Sequence, residues 1–244
     1  MLQACLNGGL AKTVHARVPV SASELAADAQ SVRAAGAAEL HIHVRNREGT
    51  ETLDPDAVAS CLTAIRRAVP GMPVGIGTGA WIAPGGRARH RNMGAWSVVP
   101  DYCSVNLNEQ DAVEVVGLLH ARGIGVEAGL WDRRDARRFI GDVPFSRCLR
   151  VLVEMTSNDG AEAVAEAQHI FDLLFDAGCK LPILLHGEGG SVWACVREAA
   201  RRGCATRVGF EDGLHLPDGV LAEDNASLVR EAVAILSKQG SAAR

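Results

Sequence analysis

Aromatic residues are scarce: Phe, Trp and Tyr make up 4% of the 244 residues, with one tyrosine among them. A groove that stacks single-stranded nucleic-acid bases needs aromatic platforms, so this shortage argues against that class. There is no basic run, and 25 Lys and Arg against 29 Asp and Glu leave a formal charge of −4, which removes the electrostatic footprint of a nucleic-acid partner. No apolar stretch reaches the ~18 residues of a membrane span, and the N-terminus lacks a basic region followed by a long apolar core. A cytoplasmic protein with no membrane partner is expected. No Cys-x-x-Cys pair occurs, and the seven cysteines are odd in number and widely spaced. They read as small core residues in a reducing compartment.

What the chain does have is an ordinary globular balance, 48% hydrophobic and 22% charged, in a length that buries a sizeable core. Short apolar runs alternate with segments of helical period. The runs are Leu2 to Leu6, Glu39 to Arg45, Pro73 to Ile76, Tyr102 to Val105, Ile124 to Glu127, Leu149 to Val153, Leu181 to Leu185 and Thr206 to Phe210. Between and after them helices are predicted from about Ser23 to Ala35, Asp54-Pro55 to Val69, Arg89 to Trp96, Asp111 to Ala121, Arg133 to Phe139, Ala161 to Phe175, Val192 to Arg202 and Asn225 to Leu236. Ser21 or Ser23 would cap the first, Pro55 opens the second, and Gly36, Gly123, Gly178 and Gly203 stop four of them. Eight strand-helix units without a linker or a shift in composition point to one α/β domain, a single (β/α)8 TIM barrel spanning 1–240, with 241–244 as a loose tail. An open doubly wound sheet is the structural alternative.

Within the second run, Glu-Leu-His41-Ile-His43-Val-Arg45, the two histidines stand at i and i+2. On a strand both imidazoles face one side and aim at one spot. Two imidazoles supply half of a zinc-type site, which needs one or two more ligands and, for catalysis, an open position. The competing reading is a pair of core histidines bonded to carbonyls. In a barrel the working groups sit at the C-terminal strand ends, and there the chain carries Asn7, His41, His43, Thr78, Ser104, Asn106, Glu127, Glu154, His186 and the cluster from Arg207 to Asp212. The eighth strand exits as Arg207-Val-Gly-Phe-Glu211-Asp212-Gly. Strands two and eight flank strand one, so Glu211 can converge on His41 and His43 while Asp212 stays free as a base or as a partner for Arg207. Gly187-Glu-Gly-Gly190 is either an anion-binding turn or a flexible loop, and Arg87 to Arg91 either a solvated loop or a phosphate-attracting patch.

The combination of His-x-His-x-Arg with Arg-x-Gly-x-Glu-Asp, Leu-Pro-Asp-Gly and Glu-Ala-Gly-Leu-Trp-Asp resembles the β-keto acid cleavage enzymes, over nearly the whole chain. The resemblance implies a zinc-bearing barrel that cleaves a β-keto acid with acetyl-CoA, giving acetoacetate and an acyl-CoA, in a homo-oligomer. It makes His41, His43 and Glu211 the metal ligands and Arg207 and Asp212 a catalytic pair, and it puts Glu127 on a carboxylate near the metal. Ser104 matches a hydroxyl that holds the substrate carboxylate, with Asn106, Thr78 and Gly79 beside it. The chain departs from the family pattern at Gly77, where relatives place a hydroxyl, at Gly129, where a second glutamate is common, and in a short loop after strand four. Two other functions are consistent with the residues: a metal-dependent hydrolase or lyase that works without CoA, and a non-catalytic barrel that binds a small carboxylate.

Overall fold

The computed structural model describes residues 1–242, and their side chains through residue 238. Eight parallel strands close into a barrel in sequence order. They are β1 (Leu2–Cys5), β2 (Glu39–Ile42), β3 (Val74–Gly77), β4 (Tyr102–Asn106), β5 (Gly125–Leu130), β6 (Arg150–Met155), β7 (Ile183–Gly187) and β8 (Ala205–Val208). The helices that follow them are α1 (Ala22–Ala35), α2 (Pro55–Ala68), α3 (Gly86–Ala95), α4 (Ala112–Ala121), α5 (Arg133–Asp142), α6 (Gly160–Asp176), α7 (Val192–Arg202) and α8 (Asn225–Ala242). β1 pairs with both β2 and β8, which closes the ring. The fold is the expected (β/α)8 barrel. Among the described residues no helix is long and apolar enough to cross a membrane.

Helix starts follow local chemistry. Ser21 and Glu24 form a reciprocal capping box at α1, and Gly36 ends that helix in the left-handed region. Asp54 accepts from the N–H groups of Asp56 and Ala57 ahead of Pro55 at α2. Asp132 and Asp159 cap α5 and α6 in the same way. The interior faces of these helices bury Val58, Leu62, Ile65, Phe139, Ile170 and Leu174 against the barrel.

Several strands run further than the residue pattern predicts, β5 and β6 among them. β5 continues past Glu127 to Leu130, and β6 past Val153 to Met155. A charged residue marks a strand end when solvent is assumed around it, but Glu127 is wholly buried and points into the barrel. It accepts from Gln3 Nε2 at 2.9 Å and Arg150 Nε at 2.5 Å. Gln3 also donates to Tyr102, Tyr102 donates to the Leu40 carbonyl at 2.6 Å, and Arg150 reaches Glu39. This polar layer plugs the interior, and Arg150 lies 4.9 Å from the Tyr102 ring centre. Conversely, β2 ends at Ile42 and β8 at Val208, so His43, Glu211 and Asp212 all stand beyond strand ends. α8 extends to Ala242, past the expected stop at Leu236; the remainder of the expected loose tail, 243–244, lies outside the described residues.

Candidate metal centre and active site

His41 on β2 and His43 just after it turn their Nε2 atoms toward Glu211, whose Oε1 lies 3.6 and 3.5 Å away respectively. The ligand atoms of all three residues fall within 4.8 Å of one another. Tetrahedral coordination with bonds near 2.0–2.1 Å places neighbouring ligand atoms about 3.3–3.5 Å apart, so the two His–Glu separations lie close to the edges of a metal site. Glu211 Oε2 is buried without a hydrogen-bond partner. Side chains further out hold the ligands in place. His43 Nδ1 bonds the Glu51 carboxylate, which orients the ring and leaves Nε2 for an ion. Asn7 clamps the backbone of His43, its Oδ1 accepting from the N–H at 2.9 Å and its Nδ2 donating to the carbonyl at 2.8 Å. Neither role is visible in local sequence. Glu51 arrives from the return of a turn in which Arg45 and Glu51 form an antiparallel bridge.

Two glycines make the space. At Gly77 a Cβ would sit 2.4 Å from His43 Nε2, so a hydroxyl side chain there collides with the imidazole in this arrangement. Gly8 has φ +48°, and a Cβ on it would meet Glu211 Cγ at 2.5 Å. Arg45, the third member of the His-x-His-x-Arg motif, does not reach the ligands. It donates to the carbonyls of Gly8, Leu10 and Gly49 and ties the loop after β1 to the end of β2.

Charge is arranged to suit a cation. Burial lowers His41 to about 3, so it stays neutral with a free lone pair. Burial opposes charge on His43 as well, but Glu211 and Glu51 outweigh it and raise the ring to about 9; an ion displaces that proton. Glu211, despite its burial, is held well below the usual carboxylate range by Arg207 and the two histidines. A neutral imidazole, a carboxylate-supported imidazole and an ionised carboxylate with an unpartnered oxygen form a donor set that fits a divalent ion.

Arg207 connects this centre to Asp212. Its guanidinium donates to Glu211 Oε1 at 3.0 Å and to Asp212 Oδ1 at 2.8 Å. Asp212 is fully enclosed: Cys5 Sγ donates to Oδ2 at 2.7 Å, and His186 Nδ1 stands 3.4 Å from Oδ1. Burial works against its charge, but Arg207 and His186 keep it ionised below the usual range. His186 in turn reaches Glu154 Oε2 at 3.2 Å through Nε2. Burial and Arg207 oppose a proton on His186, and Asp212 with Glu154 overcomes them to raise it to about 9.

A sequence model of the family described as beta-keto acid cleavage enzyme matches residues 1–243. The chain belongs to that family. It is 24% identical to a 3-keto-5-aminohexanoate cleavage enzyme of Fusobacterium nucleatum subsp. nucleatum, over 91% of this chain and 85% of the relative. It is 26% identical to a 3-oxoadipate:acetyl-CoA acetyltransferase of Cupriavidus necator, over 91% of this chain and 83% of the relative. The fold is shared with the solved structure of ObcA bound to oxaloacetate at a TM-score of 0.72 and 15% identity, covering 92% of this chain. The chain spans 64% of the length of that solved protein.

The strand ends of this β-keto acid cleavage enzyme enclose a cavity of about 260 Å³ lined by the ligand triad, Arg207, Ser104, Asn106, Gly79 and residues named below. A larger cleft between the starts of α1 and α2, about 560 Å³, includes none of the triad. Not every expected site residue faces the cavity. Thr78 is buried with its hydroxyl donated to the Ser104 carbonyl at 2.6 Å, and it does not line the cavity. Glu127 belongs to the interior polar layer beneath the cavity, because register puts it beside Arg150 and Ser104. Asp212 lies behind Arg207 and does not line the cavity. Direct proton transfer to Asp212 therefore requires Arg207 to turn aside.

Other groups enter the cavity wall, of which the chain marks only Glu154, as a polar residue at a strand end. Glu154 and Glu188 line it, with Trp81 and Trp131. Burial, then Glu154 and Asp212, raise Glu188 to about 7. The turn 187–190 is no anion cradle: the N–H groups of Glu188, Gly189 and Gly190 donate to Met155 O, Asp212 O and Asn158 Oδ1. Arg89, in the middle of the basic segment, is wholly buried and donates to Thr78 O, Glu109 and Asp111, so it anchors α3 instead of attracting a phosphate.

Proposed function

We propose that the protein transfers acyl groups between a β-keto acid and acetyl-CoA, with zinc held by His41, His43 and Glu211. The reading rests chiefly on one observation, the convergence of that triad beside Arg207 in a chain whose family is named for β-keto acid cleavage. A zinc ion bound there supplies Lewis-acid polarisation of the keto oxygen and a fixed orientation for the substrate.

The chain's own residues do the rest. Ser104 and Asn106, with the backbone at Gly79, receive the substrate carboxylate on the β3–β4 side of the cavity. Arg207 turns from Asp212 toward that substrate, and Asp212 Oδ1 takes the proton from the carbon between the two carbonyls. The resulting carbanion attacks the acetyl thioester carbonyl and CoA thiolate leaves. The thiolate then attacks the substrate's original keto carbon, the adjoining carbon-carbon bond breaks, and acyl-CoA forms. Asp212 returns its proton to the departing acetoacetate carbanion, so protons balance over the cycle.

The test combines metal content with turnover. Elemental analysis of protein purified without chelator or added metal should give near one zinc per chain in wild type and none in Glu211→Ala. Acetyl-CoA should be consumed with a β-keto acid present, with acetoacetate formed in equal amount. Turnover without acetyl-CoA would move the assignment to a hydrolase or lyase, and metal binding with no turnover of any β-keto acid would make the chain a binding protein.

A further inference from the structure

His186 is a wholly buried imidazole to which the proposed reaction gives no task. It stands on β7 opposite Glu154 of β6, and Glu154 Oε2 fixes the ring through Nε2 at 3.2 Å. The other nitrogen, Nδ1, faces Asp212 Oδ1 from 3.4 Å and makes no hydrogen bond among the described residues. The reason lies with the acceptor. Arg207 donates to that one oxygen twice, from Nε at 3.2 Å and from Nη2 at 2.8 Å, while Cys5 Sγ donates to Oδ2 at 2.7 Å. A carboxylate oxygen offers two lone pairs, so Oδ1 is already full. Burial and Arg207 oppose charge on His186, but Asp212 and Glu154 outweigh them and raise the ring to about 9, so both nitrogens carry a proton at neutral pH. An N–H buried beside a carboxylate oxygen that has no vacant lone pair is a donor held in reserve.

The reaction proposed above needs Arg207 to turn from Asp212 toward the substrate, and resting on that reading we infer that His186 is a positioning residue that takes over Asp212 as Arg207 leaves. Without Arg207, a wholly buried carboxylate would keep one thiol donor, and an interior ion stripped of its partner is costly. Closing the 3.4 Å gap to the length of a charge-assisted hydrogen bond takes a shift of about 0.5–0.7 Å. One lone pair of Oδ1 then accepts from Nδ1, and the other is free for the proton of the substrate carbon. That proton passes to Oδ1 and later to acetoacetate, while His186 keeps its own throughout. The two cations alternate. Arg207 works against the charge on His186 at rest, so its departure strengthens the imidazolium when Asp212 needs it. Glu154 holds the ring in place during the exchange, a role that requires no contact between this cavity-lining carboxylate and the substrate.

Amide substitutions separate the two nitrogens, tested in zinc-loaded protein with acetyl-CoA and 3-oxoadipate or 3-keto-5-aminohexanoate. His186→Gln leaves a donor near the Nε2 position, toward Glu154, and should lower kcat by about 10- to 100-fold, the worth of a hydrogen bond to a charged group. His186→Asn leaves its donor near the Nδ1 position, toward Asp212, and should recover about 3- to 10-fold of that loss, the worth of an uncharged donor. KM should stay within about threefold in both, because the bond forms after the substrate is in place. Zinc content should not change. Equal kcat in the two variants, or a His186→Gln kcat within about twofold of wild type, overturns the inference. A second measurement does not depend on turnover. In protein with nitrogen-15 histidine, the Nδ1–H resonance of His186 should move strongly downfield in Arg207→Ala, where Oδ1 is vacant, and should lose most of that shift in Arg207→Ala/Asp212→Asn. Absence of the shift overturns the inference whatever the kinetics. The shift with no turnover of either acid leaves the His186 contact standing and shows that the reaction itself was wrongly assigned.

Discussion

His43 Nδ1 is bonded to the carboxylate of Glu51, while Nε2 of the same ring faces Glu211 Oε1 at 3.5 Å. One imidazole thus links a supporting carboxylate to a candidate metal ligand. Trp81 Nε1 donates to the other oxygen of Glu51 at 3.3 Å, which fixes the support from the cavity mouth. Replacing Glu51 by Gln should weaken zinc affinity by about 10- to 100-fold with the three ligands intact, the usual effect of losing a group that orients a ligand. Competition with a chelator of known affinity measures this. Unchanged affinity would mean that Glu51 does not set the orientation of His43.

Asp212 is separated from the cavity by Arg207, yet the proposed reaction needs its Oδ1 as a base. Asp212→Asn should keep the metal and lower kcat by about 100-fold or more, in line with the contribution of a positioned general base. Arg207→Lys retains a charge but cannot bridge Glu211 and Asp212 with a planar fork, and it should also lose activity. If Asp212→Asn turned over normally, Asp212 would be reduced to an anchor for Arg207.

Glu127, which family resemblance puts near the metal, instead lies in the polar layer beneath it, accepting from Gln3 and Arg150. Arg150→Met would strand Glu127 and Glu39 without their partner, and breaking a buried pair in this way costs about 3–5 kcal/mol. A large fall in denaturation midpoint is expected. Glu127→Gln should lower stability less, because the amide still accepts from Gln3, and should change kcat by less than about threefold, far below the 100-fold or greater loss that removal of a general acid or base brings. A large kcat loss in folded Glu127→Gln protein would restore the catalytic reading.

Asp28 provides a pH test away from the metal. Burial raises its carboxyl to about 6, against a hydrogen bond from Asn225 Nδ2 at 2.6 Å that favours the charged form. A carboxyl whose folded pKa lies above its unfolded value of 3.8 binds protons more tightly in the native state. Its contribution is therefore complete below about pH 4 and is lost as pH rises through about 6. Asp28→Asn should raise stability at pH 8 by up to about 3 kcal/mol, the free-energy equivalent of that rise in pKa, and leave it nearly unchanged at pH 4. Thermal melts at the two pH values decide it, and an equal effect at both would remove ionisation as the cause.

The order of strands and helices is legible in the chain because apolar runs and helical periods alternate along it, and local caps such as Ser21 and Asp54 mark helix starts by chemistry that acts over three or four residues. His41 and His43 are legible for the same reason: spacing of two on a strand is a local rule. Glu211 follows from topology, since closing a barrel makes β8 a neighbour of β1. Each of these depends on neighbours in the chain or on the order of its elements, so the residue string was enough. It was not enough to show that Glu51 and Asn7 support His43, that Glu127 and Thr78 turn away from the cavity, that Asp212 sits behind Arg207, or that Glu154 and Glu188 face the cavity. Those placements depend on strand register and on which buried polar groups meet across the barrel, and they emerge once the ring of strands has closed. A buried carboxylate and a solvent-exposed one look the same in sequence; the surrounding fold sets them apart.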